Sequence, residues 1–235
     1  MGIARTYAKI LHRELTCRAA WPPLANVLAL GDYGLMSGGV FVALGNITRD
    51  FGVAVLAGPE SPQVKLDFVS QSATTLRSAA QVEVPVFPNT PVDAELRFEF
   101  AEADSLVLKA NTLVTREMQN VRAALAMVEQ KAGWRRKYRV VRQLWICRRA
   151  LVLSSIAAGA RISLRAEARV LRELDLGNVS ADIAIGNERG VGLDFVGREG
   201  VIGLGLVRLN VLGGETFRSA EPDDDIADGD PADEF

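Results

Sequence analysis

The chain has 235 residues, 49% of them hydrophobic, and a formal net charge of −2. That length and apolar content allow one large domain with a real core, while two cysteines (Cys17 and Cys147) and a lone histidine (His12) give neither a disulfide framework nor a zinc spacing. The near-neutral total hides segregation: residues 218–235 carry eight acids and one cation, leaving 26 cations against 21 acids, a net of +5, in residues 1–217.

In chain order, residues 3–18 read as a short amphipathic helix. Ile3, Tyr7, Ile10, Leu11 and Leu15 follow helical spacing, and Pro22 and Pro23 end it. Arg5, Lys9, His12 and Arg13 interrupt any signal-peptide hydrophobic region. No apolar run reaches the roughly 18 residues of a spanning helix. Entry into a membrane is therefore expected only after folding and as β-structure, and reduced thiols in a cytosol are the expected state of the cysteines.

Glycine pairs in residues 26–57 mark turns around short strands. Val64, Leu66 and Phe68 alternate with Lys65 and Asp67, and Val82, Val84 and Val86 alternate further on; Ser70–Gln81 between them reads as a hairpin arm or a loop. Leu96, Phe98 and Phe100 face one way and Arg97 and Glu99 the other, with Ser105–Val114 as the expected partner strand. A helix is expected from a Thr115 cap through Met118, Val121, Leu125 and Val128 to near Gly133. Strands follow at Tyr138–Cys147, Ala150–Ile156 and around Ile162 and Leu164. Arg169–Leu176 reads as a helical turn, and Val179–Ile185 and Gly200–Leu209 as strands. Gly203 and Gly205 share a face of the last strand, leaving it bare for close approach of another element. The order strands, helix, strands predicts an α+β fold around a twisted, mostly antiparallel sheet: one domain over residues 1–217, then an acidic tail at 218–235 with too little apolar surface to fold alone.

The charge pattern is organised around one stretch. Between Gln130 and Ala166 there are ten cations and no acid, with Trp134, Tyr138 and Trp145 among them. Such a basic, aromatic, half-apolar stretch suits an anionic surface, either lipid headgroups or nucleic acid. Catalytic chemistry is not expected. No Gly-x-Ser-x-Gly elbow, P-loop or His-Glu-x-x-His occurs, the body carboxylates are scattered, and no metal cluster or cofactor motif stands out.

Several stretches resemble bacterial gasdermins: Tyr138-Arg139-Val140-Val141, the strand through Ser154-Ser155, Leu193 to Leu209, and Ala94 to Phe100. The resemblance implies a cytoplasmic protein of anti-phage defence, held inactive by a C-terminal segment until a protease removes it. The core then oligomerises, inserts hairpins into the inner membrane as a β-barrel and causes cell death. On that reading Val64–Val86 and Ala150–Ile185 are the extending hairpins. Arg135, Arg136, Lys137, Arg139, Arg142, Trp145, Arg148 and Arg149 are the membrane-binding residues, acting on anionic lipid at about 1 kcal/mol per cation near the surface. Cys17 is the candidate acylation site, and Arg208 and Arg218 are candidate cleavage sites. The alternative is a non-catalytic binding module whose basic aromatic face takes nucleic acid or a protein partner.

Overall fold

A computed structural model describes residues 3–70, 72–78, 94–103, 105–166, 184–187 and 191–208. In order, the elements are α1 (Ile3–Leu15), β1 (Arg18–Ala19), β2 (Asp32–Ser37), β3 (Val40–Asn46), α2 (Ile47–Phe51), β4 (Ala57–Glu60), β5 (Val64–Val69), β6 (Ala73–Ser78), β7 (Ala94–Phe100), β8 (Leu106–Met118), α3 (Val121–Glu129), β9 (Arg139–Ser155), β10 (Ala160–Ala166), β11 (Ala184–Asn187) and β12 (Val191–Val207). The fold is α+β, with mostly antiparallel sheet and a few helices, as the sequence predicts. Two compact units are distinguished. The first draws on residues 1–7, 62–114 and 147–200, the second on 8–61, 115–146 and 201–235.

In the first unit, β5, β8, β9 and β12 are successive neighbours in one sheet, and β6, β7, β10 and β11 form a second, four-stranded antiparallel sheet. Period-two alternation decides what the second sheet buries. Phe98 and Phe100 of β7 and Ala160, Ile162 and Leu164 of β10 pack with Val107, Leu151 and Leu153 of the first sheet, all at 0–1% exposure. Each such aromatic or aliphatic side chain contributes about 1.5–3 kcal/mol on burial. Leu106 to Ala110 are all buried, so this end of β8 is covered on both faces. Lys109 is tolerated there because Asp67, directly opposite on β5, accepts from its Nζ at 2.8 Å.

In the second unit, α2 is bracketed by its own caps. Asn46 Oδ1 accepts from Thr48 N–H at 3.0 Å, and Gly52 closes the helix with φ +68°. Ile47, Val53, Leu125, Val128 and Val140 form one core cluster. Phe41, Ala20, Val141, Leu144 and Leu204 form another. The bare face expected on β12 is present. A Cβ on Gly203 would meet Cys17 Sγ at 2.5 Å, and one on Gly205 would meet Gln143 Cβ at 2.8 Å.

Four expectations are corrected. The first helix ends at Leu15, and Arg18–Ala19 is already strand, paired with Leu204 and Gly203. Strand β8 runs through Thr115 to Met118, so the later helix begins only at Val121. Asn120 supplies no side-chain cap there, because its amide bridges to Leu56 N–H and Ala54 C=O instead. The two strands expected around 138–156 are one 17-residue strand. Finally, β7 pairs with β6 and β10, and β8 is not its partner. The expected strand at Val82–Val86, the turn at Arg169–Leu176 and the acidic tail lie outside the described residues.

Candidate functional site

The second sheet of the first unit is two hairpin arms side by side, β6–β7 and β10–β11, with β7 and β10 in contact. Its strand order, β6-β7-β10-β11, repeats that of the sheet strands to which its members are joined, β5-β8-β9-β12. Each arm strand is separated from its sheet strand by a short link: 70–72, 101–105, 156–159 and 188–190. The central strands of the small sheet, β7 and β10, are therefore folded back over β8 and β9 of the large one. Across the central pair the register is kept. Phe100 pairs with Ala160, and Ser155 N–H donates to Ser105 C=O at 3.1 Å, with four residues intervening on each chain (101–104 and 156–159).

Serines hold the fold-over. A bend in a ladder strands backbone groups that a straight ladder would pair, and here hydroxyls take them. Ser70 Oγ accepts from Leu106 N–H at 3.2 Å, and Ser155 Oγ accepts from Ser105 N–H at 3.1 Å. Glu102 C=O accepts both Ser105 Oγ at 2.9 Å and Ser155 Oγ at 3.0 Å. Because Ser105 spends its proton on Glu102, Ser72 is the donor in the 2.5 Å contact between their hydroxyls. Ser105 and Ser155 are both at 0% exposure. Sequence reading marked Ser154-Ser155 only as part of a strand; a cluster of serines at strand ends was the missed signal.

The polar side of the small sheet carries a cross-strand ion pair. Arg161 Nε lies 3.1 Å from Glu99, its register partner.

The basic run divides. Arg135, Arg136, Lys137, Arg139, Arg142 and Trp145 belong to the second unit, and Arg148 and Arg149 to the first. Arg135, Arg136 and Lys137 are exposed in the link before β9, and Arg136 Nε is 3.8 Å from Glu129. Arg142 and Trp145 are half-buried, with the Trp145 indole N–H donating to Gln143 Oε1 at 3.3 Å. Arg148 is exposed and 3.7 Å from Glu199. The Arg149 side chain lies outside the described residues. Arg139 departs from the expectation of an outward cation: at 4% exposure, opposite Gly34, it is buried and cannot reach a lipid surface in this conformation.

The aromatic residues of the run are also engaged. Trp134 and Tyr138 pack against Tyr33 at centroid distances of 5.6 and 5.2 Å, and Phe51 completes a four-ring cluster. Beside it the Arg49 guanidinium, donating at 3.0 Å, holds the Asp50 carboxyl below its usual range, helped by Asn46 N–H. Burial first, then the charge and hydrogen bond of Asp50, push the Tyr33 phenol above its usual value. A side chain on Gly45 would collide with both the Asp50 carboxylate and the Tyr33 ring, which is why strand β3 carries glycine there.

Cys17, the candidate acylation site, is 3% exposed against β12, and burial pushes its thiol up to about 12, which disfavours the thiolate that acyl transfer uses. Arg208 is half-buried immediately after β12, and Arg218 lies outside the described residues. Among the described residues, no three His, Cys, Asp or Glu side chains group to hold a metal ion, and no helix is long and apolar enough to cross a membrane. No protein family, no curated protein and no solved structure matches the chain.

Proposed function

We propose that this chain is a non-catalytic, pore-forming protein whose folded-over sheet straightens into membrane-crossing hairpins. The observation that carries the reading is the matched strand order of the two sheets, with register kept across the central links. Opening the links would create long strands without exchanging any strand's neighbours. Only helices or closed barrels satisfy the backbone in lipid, and a barrel strand needs about 9–11 residues of dyad alternation. Along a straightened β9–β10, every second residue from Val152 to Leu164 is uncharged: Val152, Ser154, Ile156, Ala158, Ala160, Ile162 and Leu164. The opposite face carries Ser155, Arg161 and Ser163. On the neighbouring strand the matching face runs Phe98, Phe100, Leu106 and Leu108, with Glu102 and Asp104 between them at the level of the links.

In this proposal the inactive protein is cytoplasmic. A protease removes a C-terminal segment that includes residues 218–235, copies assemble on the anionic inner membrane, and permeabilisation kills the cell, as in defence against phage. Exposed Arg135, Arg136, Lys137 and Arg148 supply the attraction to lipid.

The test is dye release from anionic liposomes by the full chain and by a chain ending at Phe217. Leakage from the shortened chain alone is the expected result. Silence from both, with binding of single-stranded nucleic acid at low salt, would replace the pore with the nucleic-acid module.

A further inference from the structure

We infer that the second unit holds a binding site for a single phosphate group, in a small cavity between the end of α1, β1, β9 and β12. The cavity is about 50 Å³ and is lined by His12, Thr16, Arg18, Arg142, Gln143 and Gly205, together with apolar residues. A water needs about 10–15 Å³ on the same measure, so the 50 Å³ space takes roughly three or four waters, or one tetrahedral oxyanion, and is too small for a nucleotide.

Three elements each bring one nitrogen-rich side chain to this space: His12 from α1, Arg18 from β1 and Arg142 from β9. Among the described residues no carboxylate lines it. Arg142 is half-buried, and its guanidinium makes no hydrogen bond or ion pair with any described residue. A partly desolvated guanidinium without a partner is costly, and its planar fork matches phosphate oxygens in pairs. Thr16 and Gln143 add neutral polar groups to the lining. The walls are held close by the bare glycines of β12, with Cys17 packed on Gly203 and Gln143 on Gly205. The ligand class is inorganic phosphate or a phosphomonoester, free or as a lipid headgroup. The site does not depend on the pore reading.

The full-length protein is titrated with inorganic phosphate against chloride at matched ionic strength, read by thermal unfolding and by phosphorus NMR. A saturable rise in Tm is expected. Arg142→Gln and Arg18→Gln should each bind about tenfold or more weakly, and Arg122→Gln, exposed on α3 and outside the cavity lining, should bind as wild type does. Using two cavity variants keeps the test decisive if one fails to fold. No saturable rise, undiminished binding by both cavity variants, or equal loss in Arg122→Gln would overturn the site. Flotation with phosphatidic-acid against phosphatidylcholine vesicles then assigns the source. Competition by inorganic phosphate marks a headgroup site, and phosphate binding without competition marks a free ligand. Dye release is scored separately, so loss of this site and failure of the pore reading give different results.

Discussion

Ser155→Ala tests the serine latch most directly. The Ser155 hydroxyl has two jobs, accepting from Ser105 N–H at 3.1 Å and donating to Glu102 C=O at 3.0 Å. Its removal leaves the Ser105 amide, at a residue with 0% exposure, without that acceptor. An orphaned buried donor costs about 1–3 kcal/mol, and losing the second bond adds about 0.5–1.5. The Glu102 carbonyl keeps Ser105 Oγ at 2.9 Å, which limits that second loss. A destabilisation of about 2–4 kcal/mol follows, a large share of the roughly 5–15 kcal/mol typical of a folded protein. Ser105→Ala removes hydroxyl bonds but orphans no backbone amide, so it should cost less, about 1–2 kcal/mol. Urea unfolding of the two variants gives both numbers, and hydrogen exchange at the Ser105 amide reports the local opening. A Ser155→Ala cost below about 0.5 kcal/mol, or a larger cost for Ser105→Ala, would refute the argument that the hydroxyls replace ladder partners.

Two further outcomes are expected. Gly203→Ala drives a methyl into Cys17 Sγ at 2.5 Å and should cost about 1–3 kcal/mol as overpacking, while the double variant Cys17→Ala/Gly203→Ala should recover most of it; a denaturant double-mutant cycle with no coupling would contradict the contact. Tyr33 should titrate above the ordinary tyrosine value near about 10, and Asp50→Asn should bring it down. Since the folded pKa is raised, this group's stabilisation is full below the unfolded value and lost as pH rises through the folded one; ultraviolet titration of wild type and variant at 295 nm reads the shift, and identical curves would contradict it.

What was legible in the sequence was periodicity. The spacing of Tyr7, Ile10 and Leu11 located a buried helix stripe, and the alternation of Phe98 and Phe100 with Arg97 and Glu99 located a two-faced strand. The bare Gly203 face was readable because only a missing side chain admits a neighbour that closely. Pairing was not legible. Consecutive strands usually neighbour each other, so β7 and β8 looked like a hairpin, yet residues 101–105 carry the chain into a different sheet. Met118 illustrates another limit. It sits three residues before Val121 and fits a helical repeat, but it closes a 13-residue strand that packs in the same core cluster. Alternation does not say which face of β9 is covered, and so the sequence pattern places Arg139 outward whereas the fold buries it. In Cys17 the residue type was visible while its burial, which removes its reactivity, was a tertiary fact.

The match of four residues (101–104) against four (156–159) between the paired positions Phe100/Ala160 and Ser105/Ser155 has a consequence for how this gene could tolerate change. As folded, residues 101–103 and 156–159 are exposed, the kind of place where an extra residue is usually absorbed. A continuous ladder is less forgiving: one added residue in one link would shift the register beyond it by one and turn every side chain there to the opposite face. Only paired changes of equal length, or a compensating bulge, would leave both arrangements usable. If the sheet straightens as proposed, the links are constrained in length more than in residue identity, and by the straightened arrangement more than by the folded one.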